Sequence, residues 1–173
     1  MSAAEQDRYA DYRRISAEEG LMFQDFVVEV ALSNGVTITP YCSRAYQWRY
    51  GESREGYEIK FDDGRRTTGN LYIEYAEKAC PRPGDYAVGG IESVHHQHFV
   101  IGDYSVIYVF QSAFLRLMKD QPGEFRGFKY RHVTKDTSLG FLLPEADAVT
   151  MAEDVWRPGG DIWRPRKNGS AVR

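Results

Sequence analysis

Apolar and polar positions divide the chain into stretches of helical and of alternating period. Residues 1 to 15 mix charge with tyrosine and keep neither period, so they read as a helical or loose arm. From Ser16 the pattern changes. Ser16 and Glu19 have the spacing of a capping box, Leu21, Val28, Ala31 and Leu32 recur at helical spacing, and Asn34-Gly35 supplies a stop. A helix of roughly 17 residues is expected there.

Val36 to Thr39 is short and β-branched, so it reads as a strand, and Tyr41 to Glu55 is polar, aromatic and turn-like. Gly56 to Asp63 then alternates, with Glu58, Lys60 and Asp62 on one face and Tyr57, Ile59 and Phe61 on the other. A loop from Asp63-Gly64 to Gly69-Asn70 leads into a second alternating run, Leu71 to Glu77, and the two runs are expected to pair as a β-hairpin. A Pro/Gly-rich stretch, CPRPGDYAVGG, breaks the regularity. Val94 to Ile101 and Val106 to Phe110 follow as strands around Gly102-Asp103, Ser112 to Lys119 has a helical composition, and Leu139 to Leu143 is a last strand ending at Pro144. The order predicts an α+β fold, a mixed central β-sheet flanked by helices. Three regions are expected: an arm at 1–15, one domain over 16–150, and a basic tail over 151–173 holding two WRP triplets.

Composition narrows the function classes. The chain has 173 residues, 42% of them hydrophobic, enough for one packed domain. A net charge of −3 argues against coating nucleic acid by bulk charge but leaves room for a local basic groove. Cys42 and Cys80 stand far apart, in no zinc-like spacing, and the polar start and short apolar runs predict a cytoplasmic protein with no membrane segment. His95, His96 and His98 lack a third clustered ligand and are expected to be exposed strand residues. Gly89-Gly90 has no phosphate-loop form, so no nucleotide cofactor is expected.

The informative segment is GESREGYEIKFDDGRRTTGNLYIEYAEK, residues 51 to 78. A surface strand would carry Glu58, Lys60 and Asp62 to solvent. Carboxylates on adjacent strands can instead converge on a hard divalent cation, with a lysine beside them to orient water or steady phosphate charge. GYEIKFDD, a short loop and TGNLYIEYAEK resemble the core hairpin of the PD-(D/E)XK nuclease superfamily, most closely its small phage-type and prophage-type members. The GES lead-in at Gly51, GGIES, FVIGD, IYVF, FLRLM and FLLP follow in the order those proteins use, so the resemblance spans about residues 18 to 145.

The resemblance implies a restriction-endonuclease-like core with hairpin 56–77 and Mg2+- or Mn2+-dependent phosphodiester hydrolysis of nucleic acid, with DNA as the expected substrate. Asp62 and Glu74 match the metal ligands, and Lys60, with Glu58 beside it, matches a migrated catalytic lysine, because Ala76 stands where the pattern wants one. A second assignment takes Glu58-Ile59-Lys60 as the E-x-K element and Glu52 as the preceding acid; the first is preferred, because the twelve-residue spacing from Asp62 to Glu74 matches a hairpin. Gln24 stands where many members place a helical glutamate, with Glu29 nearby, and Gln47 and Glu52 are candidates to line the same cleft. Arg65, Arg66, Arg164, Arg166 and Lys167 are candidate phosphate contacts. A homodimer is compatible with cutting both strands of a duplex. The departures at Ala76 and Gln24 support an alternative, a catalytically silent nuclease-fold module or phage accessory protein that binds nucleic acid or a host protein.

Overall fold

The computed structural model describes the backbone of residues 3–78, 84–93 and 95–158, and within these the side chains from residue 17 onward, those of 44 and 48 excepted. It is an α+β structure with a mixed central sheet. Helix α1 (Ala3–Ser33) is followed by α2 (Arg44–Tyr50), strand β1 (Tyr57–Phe61), the single turn α3 (Arg65–Thr68), β2 (Asn70–Glu77), β3 (Ala87–Val88) and a short 3-10 turn, Gly90–Glu92. Strands β4 (His98–Asp103) and β5 (Val106–Gln111), helix α4 (Ser112–Lys119), a hairpin of β6 (Glu124–Phe125) and β7 (Phe128–Lys129), β8 (Arg131–Thr134), β9 (Ser138–Pro144), α5 (Glu145–Met151) and β10 (Asp154–Trp156) complete the order. Among the described residues no helix is long and apolar enough to cross a membrane.

The strands form two four-stranded sheets, one in the order β1-β4-β5-β10 and the other β3-β2-β9-β8. The first is mixed, because β1 runs parallel to β4 while β5 runs antiparallel to both β4 and β10. One core lies between the two sheets and gathers Leu71, Ile73, Phe99, Ile101, Tyr108, Phe110, Phe141 and Leu143. The other lies between the first sheet and α1, where Phe23, Val27, Val30 and Ala31 meet Ile59, Val100, Ile107, Val109 and Trp156. The spacing of those four α1 residues is the i, i+4, i+7, i+8 stripe of a helix with one apolar face.

Several expectations change. Helix α1 begins at Ala3, so Ser16 and Glu19 lie inside it and not at its start. The arm holds three Ala and three Arg with one Glu and one Gln, and such good helix formers propagate a helix that later packing has already nucleated. The stop is where the sequence puts it, at Asn34-Gly35, with Gly35 left-handed at φ 74° and the Val36 amide donating back to Ala31.

The hairpin 56–77 is not formed. Its two strands exist, but β1 pairs with β4 and β2 pairs with β9, in different sheets. Arg65–Thr68 coils into a helical turn between them, and each strand takes the distant partner that buries its apolar side. The segment 36–39 forms no strand, and Pro40 makes only an isolated bridge to Ser53. The region from 151, read as a tail, holds the end of α5 and strand β10, whose Trp156 is 1% exposed.

Candidate functional site

Parallel pairing fixes which way the charged face of β1 points. Glu58 is level with Phe99 and Lys60 with Ile101, and both partners belong to the core between the sheets. The face expected to be solvated therefore looks into the gap between the sheets, at the edge of the first one. Glu58 is only 6% exposed there. An ionised carboxylate at that depth must be paired, and it is. One oxygen lies 2.9 Å from Lys60 Nζ and the other 2.6 Å from His96 Nε2.

The pair is continued on both sides. Lys60 Nζ also reaches Glu52 Oε1 at 3.4 Å, while Glu52 Oε2 accepts the Ile59 amide at 2.9 Å. Glu52 is aimed by the sharp stop of α2: Gly51 has φ 92°, and a Cβ there would press within 3.0 Å of the His95 side chain. On the other side His96 Nδ1 meets Ser112 Oγ at 2.8 Å, and Nε2 also lies 2.8 Å from the Gly90 carbonyl. Nε2 thus faces two acceptors, the Glu58 carboxylate and the Gly90 carbonyl, while Nδ1 faces a hydroxyl that can donate or accept. The result is a chain, Ser112–His96–Glu58–Lys60–Glu52, running from the core to solvent.

The remaining wall is the 3-10 turn against β2. Gly90 is left-handed at φ 51°, and a Cβ there would fall 2.0 Å from the Glu74 carbonyl, so only glycine permits this approach. Arg116 of α4 clamps the turn by donating to the Ile91 and Ser93 carbonyls. A cavity of about 770 Å3 opens between these parts, lined by Glu52, Glu58, Lys60, Glu77, Glu92 and His95 among others. A second, of about 600 Å3, lies toward α1 and shares Gln47, Glu52 and Lys60 with the first while adding Glu19, Gln24 and Asp63.

The electrostatics follow from this crowding. Burial opposes ionisation of Glu58, but the Lys60 ammonium and the hydrogen bond from His96 outweigh it and hold the carboxyl well below the ordinary carboxylate range. Burial also opposes the charge on Lys60, and Glu58, Glu52 and Glu74 reverse that and keep the ammonium charged. Glu74 is pushed up: burial leads, Lys60 pulls back in part, and Glu77 and Glu58 add to the rise. Three carboxylates thus act on one ammonium.

The predicted site residues divide accordingly. Glu58 and Lys60 sit together, Glu74 acts on Lys60 through its charge, and Gln24, Gln47 and Glu52 share a cavity wall with Lys60. Asp62 is placed otherwise. Its Oδ2 accepts the Tyr72 amide at 2.8 Å, on the stretch of β2 that β3 leaves unpaired, and the charges acting on it are Lys135 and Asp63. Asp62 and Glu74 therefore answer to different neighbours, and among the described residues no group of three His, Cys, Asp or Glu is placed to hold a metal. Glu29 on α1 lies outside the residues that line the two cavities.

Arg65 is turned inward rather than toward a phosphate. It bonds Asp103 and Glu145, each at 2.6 Å, with its side chain 8% exposed. Arg66 reaches Asp103 at 2.9 Å and remains 60% exposed. Arg164, Arg166 and Lys167 lie outside the described residues. The histidines are not uniformly exposed: His95 is, His96 is buried at 3%, and His98 pairs with Glu153 at 3.1 Å. Sequence reasoning passed over His96, Ser112 and Arg116. The HHQH run was a signal for the first, but alternation alone does not tell which of its histidines turns inward.

Comparison of the chain with protein-family models, with curated proteins and with solved structures finds no match. Fold and site define an α+β protein with an acid-rich cleft centred on one lysine.

Proposed function

We propose that the protein is a metal-dependent phosphodiester hydrolase acting on nucleic acid, built on a restriction-endonuclease-like core, with Glu52, Glu58 and Lys60 as its working set. The observation that carries the reading is the convergence of the Glu52 and Glu58 carboxylates on one solvent-reached ammonium, at 3.4 and 2.9 Å. This is the E-x-K element with its preceding acid, the second of the two assignments that the sequence allows.

The donor set suits Mg2+ or Mn2+. Both are hard cations satisfied by one or two carboxylates together with waters and phosphate oxygens, and Glu52 and Glu58 would hold the ion. When bound, it would supply Lewis-acid polarisation of the phosphate and a more acidic water. The chain's own residues do the rest. Glu58 stays ionised because Lys60 and His96 hold it so. Lys60, with 36% of its side chain exposed, presents an ammonium to whatever enters the cleft, where it orients water and offsets phosphate charge. Gln24 and Gln47 add neutral amides to the wall.

A second reading, a module of the same fold that binds without cutting, is favoured by one observation: both Glu58 oxygens are already occupied, by Lys60 and by His96. Incubation with single-stranded, duplex and branched DNA separates the two. The hydrolase reading expects cleavage that needs Mg2+ or Mn2+ and stops with a chelator. Retained binding with no cleavage under either metal selects the second reading.

A further inference from the structure

Helix α2 carries a surface that the cleft does not use. Gln47 points one way, into both cavities, with its amide donating to the Tyr41 carbonyl at 2.6 Å. Tyr46 and Tyr50, one turn apart, are 56% and 46% exposed, although tyrosine rings of a packed domain are commonly half-buried. They gather with Tyr41. Centroids are 5.4 Å apart for Tyr46 and Tyr50, 5.9 Å for Tyr41 and Tyr46, and 6.3 Å for Tyr41 and Tyr50.

The planes meet at 41 to 44°, so the rings are tilted and no two are stacked face to face. The Arg49 guanidinium lies 5.4 Å from the Tyr50 centroid, and Arg54 is exposed nearby in the chain. Aromatic faces interleaved with arginine on a short helix are the chemistry that holds unpaired bases and their phosphates together. The helix ends at Gly51, and the next residue is Glu52 of the cleft.

The geometry points to Tyr41, Tyr46 and Tyr50 as a stacking platform for unpaired nucleobases, with Arg49 as its phosphate and cation–π partner, leading a single strand into the cleft at Glu52 and Lys60. In a duplex the base faces are already stacked on one another, so an exposed ring can engage only a base that is free. The substrate class is therefore single-stranded or locally unpaired nucleic acid. This rests on the hydrolase reading for its use, but the platform binds whether or not the cleft cuts.

The test is fluorescence anisotropy of the full chain with labelled oligothymidylate, oligouridylate, the matching duplex and a proline-rich peptide. Glu58→Gln serves as the parent so that cutting does not disturb the binding curve. The expected result is preference for the single strands over the duplex, a loss of roughly tenfold for each of Tyr46→Ala and Tyr50→Ala, and near-parental binding by the Tyr→Phe changes, which keep the ring. Both positions are exposed, so unchanged thermal melting will show that the variants are folded. Unaltered affinity in the alanine variants, equal affinity for the duplex, or binding of the peptide alone overturns the platform. Cleavage is read separately, on the unsubstituted chain with Mg2+ or Mn2+: if that chain does not cut but these shifts appear, the hydrolase reading fails and the platform stands, and if it cuts and the shifts are absent, the reverse holds.

Discussion

Two charged clusters enter the space between the sheets, and they are built on different terms. At one, Arg65 bonds Asp103 and Glu145, Arg66 adds to Asp103, and the Tyr108 hydroxyl donates to Glu145. Two cations face two carboxylates. At the other, Lys60 faces Glu52, Glu58 and Glu74, and the cleft wall adds Glu77 and Glu92, the latter paired with Lys119 at 2.9 Å. The first is matched and closed, with Arg65 and Asp103 almost wholly buried. The second is acid-heavy and opens to solvent. A matched buried network fixes one arrangement of the chain; an unmatched open one has charge left over for a ligand.

The largest effect that would break this contrast is on stability. Arg65→Met leaves the buried Asp103 with Arg66 as its one cation beside the Ser105 hydrogen bonds, and loss of one partner from a buried pair costs about 3–5 kcal/mol. Thermal melting should fall on the order of 10 °C. A variant that melts with the parent would mean that the network is not what holds the two sheets in register.

Lys60→Ala should behave in the opposite manner. Cleavage falls by about a hundredfold or more while melting falls by less than in Arg65→Met, because Lys60 is partly exposed and His96 still holds the buried Glu58. Equal losses of stability and cleavage would make Lys60 a structural cation like Arg65.

Acid sharpens the comparison next. Burial would raise Asp103, but hydrogen bonds from Ser105, Arg66 and Arg65 hold it below its ordinary value of 3.8. Its contribution to stability is therefore complete above that value and is lost as pH falls below it. Asp103→Asn should flatten that acid limb in melting measured against pH. Glu74, held above its ordinary 4.5, has the other sign: its ionisation costs stability as pH rises, so Glu74→Gln should be more stable than the parent at neutral pH and equal to it in acid. The smallest effect belongs to Arg66→Ala, since its side chain is 60% exposed and such pairs are worth about 0–1 kcal/mol.

Much of the element pattern was legible in the sequence because it depends on local period. The alternating runs at 56–63 and 71–77, the strands read at 94–101 and 106–110, helix 112–119 and the stop at Gly35 all have counterparts in the structure, although β4 begins only at His98 and runs on through Gly102-Asp103, which the sequence reads as a turn. Pairing was not legible. Two alternating strands joined by eight residues look like a hairpin, yet which edge each strand meets is decided by apolar surface far away in sequence, at Phe99 and Phe141. The candidate site changes with the pairing. A β1–β2 ladder would have set Asp62 and Glu74 on paired strands; with β1 beside β4, Lys60 bonds Glu58 and Glu52, Glu74 acts on it through its charge, and Asp62 accepts the Tyr72 amide of β2. Arg65 failed for a related reason, because a charged turn reads the same whether its arginine faces solvent or Asp103.

The most direct measurement compares Glu58→Gln with Asp62→Asn in metal-dependent cleavage of labelled single-stranded DNA, beside the parent. Both changes are nearly isosteric, and the Asp62 amide can still accept the Tyr72 N–H. The account predicts that the parent and Asp62→Asn cut at similar rates and that Glu58→Gln does not. Cleavage retained by Glu58→Gln and lost by Asp62→Asn would contradict it, as would a parent that cuts nothing with either metal.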